Sequence, residues 1–146
     1  MHTQQTFNRR QTGFTLPEIM FALAIVGILV SMAYPSFMDS LRQSRRSDAH
    51  SALLIASNKL ERFFSANDTY TTDEELLGFF AEGDSPALSA GGHYTITVTP
   101  GNSGISSSYV VTAAAAAGQQ QDAGCTTLTV DSTGRRTPDP RTSSCW

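Results

Sequence analysis

The sequence predicts an α+β chain in which one long, kinked N-terminal helix, membrane-spanning in its first half, packs by its second half on a small antiparallel sheet of three to four strands with a disulfide-closed C-terminal loop. Three observations carry this. An apolar run from Phe14 to Tyr34 holds a single charge, Glu18. An apolar stripe at three- and four-residue steps continues it to Phe64. From Tyr94 onward, short alternating stretches are separated by turn signals, and two cysteines, Cys125 and Cys145, stand near the end. With 146 residues the chain has room for one small head beyond the helix.

At ~1.5 Å rise per residue, a helix over 14–34 reaches about 30 Å, the depth of a bilayer core. A secretory signal has a shorter apolar region of ~7–15 residues, with its small-residue cleavage site after that region. Here the small residue, Gly13, precedes the run, and Arg9 and Arg10 lie upstream of it. The charges keep residues 1–13 cytoplasmic. A cut after Gly13 removes 1–13 as a leader and gives Phe14 a free amino group, with the hydrophobic segment kept on the mature chain. A carboxylate within a span costs at least ~2–3 kcal/mol. Glu18 therefore needs a partner: the headgroups, reached by snorkelling, or the Phe14 ammonium of a neighbouring subunit.

Beyond residue 35 the helical pattern persists. Phe37, Leu41, Ala49, Ala52, Leu53, Ala56, Leu60, Phe63 and Phe64 form one face, with Arg42, Arg45, Arg46, Asp48, Lys59 and Glu61 available for the other. The spacing predicts one helix over 14–64: 14–35 as the membrane span, 36–64 as its amphipathic continuation. Pro35 is expected to kink it by removing an amide donor, and Gly27 is a second weak point.

Residues 65–146 read as the head. Over 65–92 there is no sustained period; Thr72-Asp73-Glu74-Glu75 is suited to capping a short helix to Phe80, and Gly91-Gly92 closes the connection. The sheet is expected within 93–137. Tyr94, Ile96 and Val98 alternate with threonines; a second strand runs from about Ser108 to Ala115, although the run Ala113–Ala117 favours helix by propensity. Cys125 to Val130 is a third, and Asp131-Ser132-Thr133-Gly134 turns into a short fourth at Arg135 to Thr137. The simplest arrangement is a meander over one helix.

Net charge is −3, and loss of Arg9 and Arg10 with the leader makes the mature chain more acidic. Asp68, Asp73, Glu74, Glu75, Glu82, Asp84 and Asp122 fall between Arg62 and the next arginine, Arg135. An acidic middle repels nucleic acid, so any DNA contact falls to the basic clusters at the ends. Cys125 and Cys145 lie where the anchor places them outside the cytoplasm, and a bridge closing loop 125–145 is expected. No CxxC or HxxxH spacing supports a metal. His2, His50 and His93 stand apart with no nucleophile elbow, and no phosphate-binding glycine loop occurs. Catalytic residues, metal ligands and cofactors are expected to be absent, and the chain is read as a non-enzyme.

Gly13-Phe14-Thr15-Leu16-Pro17-Glu18 resembles the prepilin signature of the type IV pilin family. The resemblance implies the type IV pilin fold, cleavage after Gly13 by a prepilin peptidase and N-methylation of Phe14. It also implies a glutamate at the fifth mature position, here Glu18, that pairs with a neighbouring subunit's Phe14. Gly27 and Pro35 match residues that the family tends to carry in the span, and the loop between Cys125 and Cys145 corresponds to its D-region. The Glu61-Arg62-Phe63-Phe64-Ser65 stretch and the Ser143-Ser144-Cys145-Trp146 end look similar to type IVa, PilE-like minor pilins.

The implied function is that of a pilus filament subunit, a minor pilin needed for pilus assembly and for twitching motility and adhesion, with 14–35 in the filament core after assembly. It would sit in the inner membrane as a single span with a cytoplasmic N-terminus, then pass through an assembly platform into an extracellular pilus among other pilin subunits. Two alternatives stand beside it: a pilus-borne DNA-uptake receptor using Arg135, Arg136 and Arg141, and a type II secretion pseudopilin.

Overall fold

The computed structural model describes residues 13–78, 87–116, 118–138 and 143–146. One helix, α1 (Leu16–Asn67), precedes four strands: β1 (Tyr94–Pro100), β2 (Tyr109–Ala115), β3 (Thr127–Asp131) and β4 (Arg136–Thr137).

The helix starts two residues later than the periodicity predicts because Thr15 caps it. The Thr15 carbonyl accepts from Ile19 N at 3.2 Å, and the Glu18 carboxylate reaches back to Thr15 N at 3.4 Å. That is the returning half of a Thr-x-x-Glu capping box, with Pro17 placed where its missing N–H has no intrahelical acceptor. The helix runs unbroken through Gly27 and Pro35 and overshoots Phe64 by three residues, ending at Asn67. Asp68, at φ 54°, takes the left-handed conformation that stops it, and its N–H returns to the Phe64 carbonyl at 2.8 Å.

The N-terminal compact unit, through Phe37, leaves its apolar side chains uncovered: Phe14 is 79% exposed and Met32 74%. This helix is long and apolar enough to cross a membrane.

The second unit begins at Met38 and holds the core. Ala49, Leu53, Ala56 and Leu60, at steps of four and three, are buried against Tyr94, Ile96 and Val98 of β1, Tyr109, Val111 and Ala113 of β2, and Leu128 of β3. Helix period and strand period meet on one interface. The strands form an antiparallel meander in the order β1-β2-β3-β4. The alanine run goes to the sheet as far as Ala115, since Ala113 pairs with Ile96 on one side and Leu128 on the other. Two ladders outweigh a helix propensity advantage of a few tenths of a kcal/mol per residue.

Two expectations are corrected here, on the segment after Thr72 and on Phe37. The polar helix face is also more engaged than its pattern shows: Arg46 and Asp48 are half-buried, and Glu61, although exposed, is bonded to the head. Asp48 accepts from Ser89 Oγ and from Gly91 N, fastening the segment that precedes β1. Glu61 takes the hydroxyls of Tyr70 and Tyr109. The helix proposed after Thr72 is a turn over 74–78, with Asp73 Oδ1 accepting from Glu75 N and Leu76 N; its extension to Phe80 lies outside the described residues. Phe37 is also 65% exposed, so the packed stripe starts further along the helix.

Candidate nucleic-acid interface

The C-terminal segment is gripped from two sides, and the grip begins on α1. Arg46 and His50 are one turn apart and share a helix face. Arg46 Nη1 donates to the Ser144 carbonyl at 2.7 Å, and the Cys145 carbonyl accepts from His50 Nε2 at 2.9 Å. From the sheet side, Cys125, just ahead of β3, is bonded to Cys145, with the two Cα atoms 5.4 Å apart. The expected disulfide is present. Both sulfurs sit in the core, each residue 3% exposed.

Arg46 also binds Asp122 in a fork, Nε to Oδ2 at 2.8 Å and Nη2 to Oδ1 at 2.7 Å. Gln119 Nε2 donates to Asp122 Oδ2 at 3.0 Å and to the Arg42 carbonyl at 3.1 Å. The pair is screened from water, its side chains 15% and 5% exposed. The Arg46 hydrogen bond therefore holds the Asp122 carboxyl below its ordinary range, and the same bond raises the Arg46 guanidinium. Asp122 thus does not add to the acidic surface that the sequence suggests; its charge is spent inside.

With the tail fixed, Trp146 lies flat on His50, centroids 4.8 Å apart and planes 9° from parallel. The guanidinium of Arg136 stands 5.0 Å over the Trp146 ring. Register explains the meeting. Arg136 pairs with Val130, which shares a sheet face with the buried Leu128, so Arg136 projects toward α1 at the open edge of the sheet. Arg135 stands one residue before the strand and is exposed, its N–H held by Asp131 Oδ1 at 3.0 Å. That carboxylate also takes Thr133 N and Thr133 Oγ1, and Gly134 supplies the positive φ, 79°, that the tight β3–β4 turn requires. Between this turn and α1 lies a groove of about 580 Å³ bordered by Ser57, Glu61, Tyr109, Asp131, Arg136 and Trp146.

Of the three candidate arginines, Arg135, just before the edge strand β4, and Arg136, its first residue, are both exposed, and Arg141 lies outside the described residues. In the N-terminal unit, Gly13, Phe14 and Glu18 are all exposed. A side chain added at Gly13 or Gly27 would meet nothing within 4 Å. Among the described residues, no three His, Cys, Asp or Glu side chains are placed to hold a metal ion. Sequence reasoning missed Trp146, His50 and the Arg46–Asp122 pair. The signal for the first two was there: an aromatic directly after a bridged cysteine, and a histidine one turn beyond an arginine on a face that must meet the head.

Residues 8–34 match the family model for the prokaryotic N-terminal methylation motif, and residues 35–129 match the model described as type IV minor pilin ComP, DNA uptake sequence receptor. The chain is 38% identical over 76 residues to the type IV major pilin protein PilA of Myxococcus xanthus, covering 52% of this chain and 34% of that protein. It is 36% identical over 70 residues to type II secretion system core protein G of Dickeya chrysanthemi, covering 48% and 46%. The chain thus spans about a third to a half of the length of these relatives. A solved type IV pilin from Shewanella oneidensis is similar over 72% of this chain and 97% of that one, at 27% identity and a TM-score of 0.49. The chain belongs to the type IV pilins, in the family described as type IV minor pilin ComP, DNA uptake sequence receptor.

Proposed function

We propose that this chain is a minor subunit of a type IV pilus and that its head contacts DNA during uptake. The observation that carries this reading is the match of residues 35–129, which take in the second half of α1 and the sheet through β3, to the DNA uptake sequence receptor family. Arg135 and Arg136 support it, as exposed neighbouring cations at the edge strand that can meet phosphates.

Before assembly the chain is anchored in the inner membrane by α1, with residues 1–13 in the cytoplasm. A prepilin peptidase cuts after Gly13, Phe14 is N-methylated, and an inner-membrane platform draws the subunit into the fibre. There the uncovered apolar side chains of the N-terminal unit are buried among like helices, and Glu18 pairs with the Phe14 amine of a neighbour, which sets register because an unpaired buried carboxylate is strongly unfavourable. Gly27 and Pro35 supply the weak points at which the helix bends.

A count of surface filaments and of DNA uptake in a strain lacking this chain tests the reading. Normal filaments with lost uptake are expected. Lost filaments would instead make the chain a building subunit needed for the fibre, with its roles in twitching and adhesion following from that. The similarity to core protein G favours a second reading, a pseudopilin of a secretion filament. Normal filaments and uptake with lost protein secretion would select it.

A further inference from the structure

We infer that Trp146 is a positioning residue for Arg136: it holds the Arg136 guanidinium on the open edge of the head as a preformed phosphate contact. This rests on the DNA-binding reading above.

An exposed arginine on a two-residue strand has little to restrain it. Its side chain samples many rotamers, and freezing them on binding weakens any phosphate contact. Arg136 is restrained by the indole 5.0 Å beneath its guanidinium carbon. A cation over an indole face is held by the ring quadrupole while its N–H donors, which lie in the guanidinium plane, stay free to point outward. Among the described residues Arg136 forms no ion pair.

The indole itself is not loose. His50 stacks on it, and Ser144 and Cys145, the two residues before it, are fixed by Arg46, His50 and the bond to Cys125. The chain of support runs from α1 and the core disulfide through Trp146 to one guanidinium. Arg135 has no such platform among the contacts of the described residues, and the two arginines should therefore contribute unequally.

Trp146 is the one tryptophan in the chain, so its emission reports on this stack alone. The experiment uses the full chain in detergent micelles and a short fluorescein-labelled duplex DNA, titrated at several salt concentrations. Trp146→Ala is expected to weaken binding about five- to ten-fold, as Arg136→Ala does, and to lower the slope of log affinity against log salt by about one. Trp146→Phe should retain most of the affinity, and the double variant should bind no worse than Arg136→Ala. Without DNA, Arg136→Ala should shift Trp146 emission and increase its quenching by acrylamide.

Wild-type affinity in Trp146→Ala beside weakened Arg136→Ala would overturn the inference and leave the DNA-binding reading standing. Equal losses in Trp146→Phe and Trp146→Ala would also overturn it, since they would reflect a disturbed fold. Unchanged emission and quenching in Arg136→Ala would show that the stack does not form in solution. If the wild type binds no DNA, or if Arg135→Ala/Arg136→Ala binds as the wild type does, the functional reading itself fails.

Discussion

Arg46 donates two hydrogen bonds to Asp122, at 2.8 and 2.7 Å, across 76 residues of chain. The pair joins α1 to the loop before β3, and the third donor of Arg46 joins both to Ser144. Breaking one side leaves a charge with little water around it. Asp122→Ala and Arg46→Ala should each destabilise the head by about 3 kcal/mol, read as a lower urea midpoint. Replacing both residues by apolar ones of similar size, Arg46→Met with Asp122→Leu, should recover much of that loss. A double variant as weak as the singles would show that the link to Ser144, not the ion pair, carries the effect.

The same pair sets the acid limb of stability. Arg46 depresses the Asp122 carboxyl, so the folded head holds it charged where the unfolded chain would bind a proton. The stabilisation is complete above about pH 4, near the unfolded pKa, and is lost as pH falls through the lower folded value. Thermal midpoints measured below about pH 4 should fall more steeply for the wild type than for Asp122→Asn, which has no proton to take up.

At the alkaline end the group to watch is Tyr109. Burial, with the Glu61 carboxylate 3.0 Å from its hydroxyl, pushes it up to about 12. A raised tyrosine is neutral in the folded head after the unfolded one has ionised. Its contribution is therefore whole below about pH 10 and drains away between there and about pH 12. Tyr109→Phe should flatten the decline in thermal midpoint over that window. A wild-type curve already flat there would refute the assignment.

How much of this was legible in the sequence depends on the range of the interaction. The span, the stripe Ala49-Leu53-Ala56-Leu60 and the alternation in β1 are periodic, and a period is visible one residue at a time. The disulfide was legible because only one pairing exists. Arg46, Asp48 and Glu61 read only as the polar face of the helix because their partners, Asp122, Ser89 and Tyr109, lie between 41 and 76 residues away; no local pattern marks a helix charge that the head will bind. Trp146 and Arg136 meet only once β3 and β4 have taken their register and the tail has been tied back. Helix ends were off by two or three residues for a simpler reason: Thr15 and Asp68 stop the helix by capping and by a positive φ, and the apolar pattern is blind to both.

Cys125 and Cys145 close a loop with a sequence separation of 20. In the chain-entropy account, opening a loop of that size costs about 3 kcal/mol through the unfolded state. Cys125→Ser/Cys145→Ser should therefore melt well below the wild type. It should also free Trp146 earlier than the sheet: tryptophan emission should change at a lower temperature than far-ultraviolet circular dichroism. Coincident transitions would mean that Arg46 and His50 hold the tail without the bond.

Glu18 has two jobs that one substitution cannot separate. Its carboxylate reaches Thr15 N within its own chain, capping α1, and in the proposed filament it meets the Phe14 amine of a neighbour. Glu18→Ala removes both. Glu18→Gln keeps a side chain that can return to the capping amide, since Gln serves as well as Glu at that position of a capping box, but carries no charge. If charge pairing sets register, both variants should be cut after Gly13 as the wild type is, and both should be missing from sheared filaments probed by immunoblot. If Glu18→Gln is incorporated normally and Glu18→Ala is not, the residue matters for starting the helix and the subunit pairing is wrong.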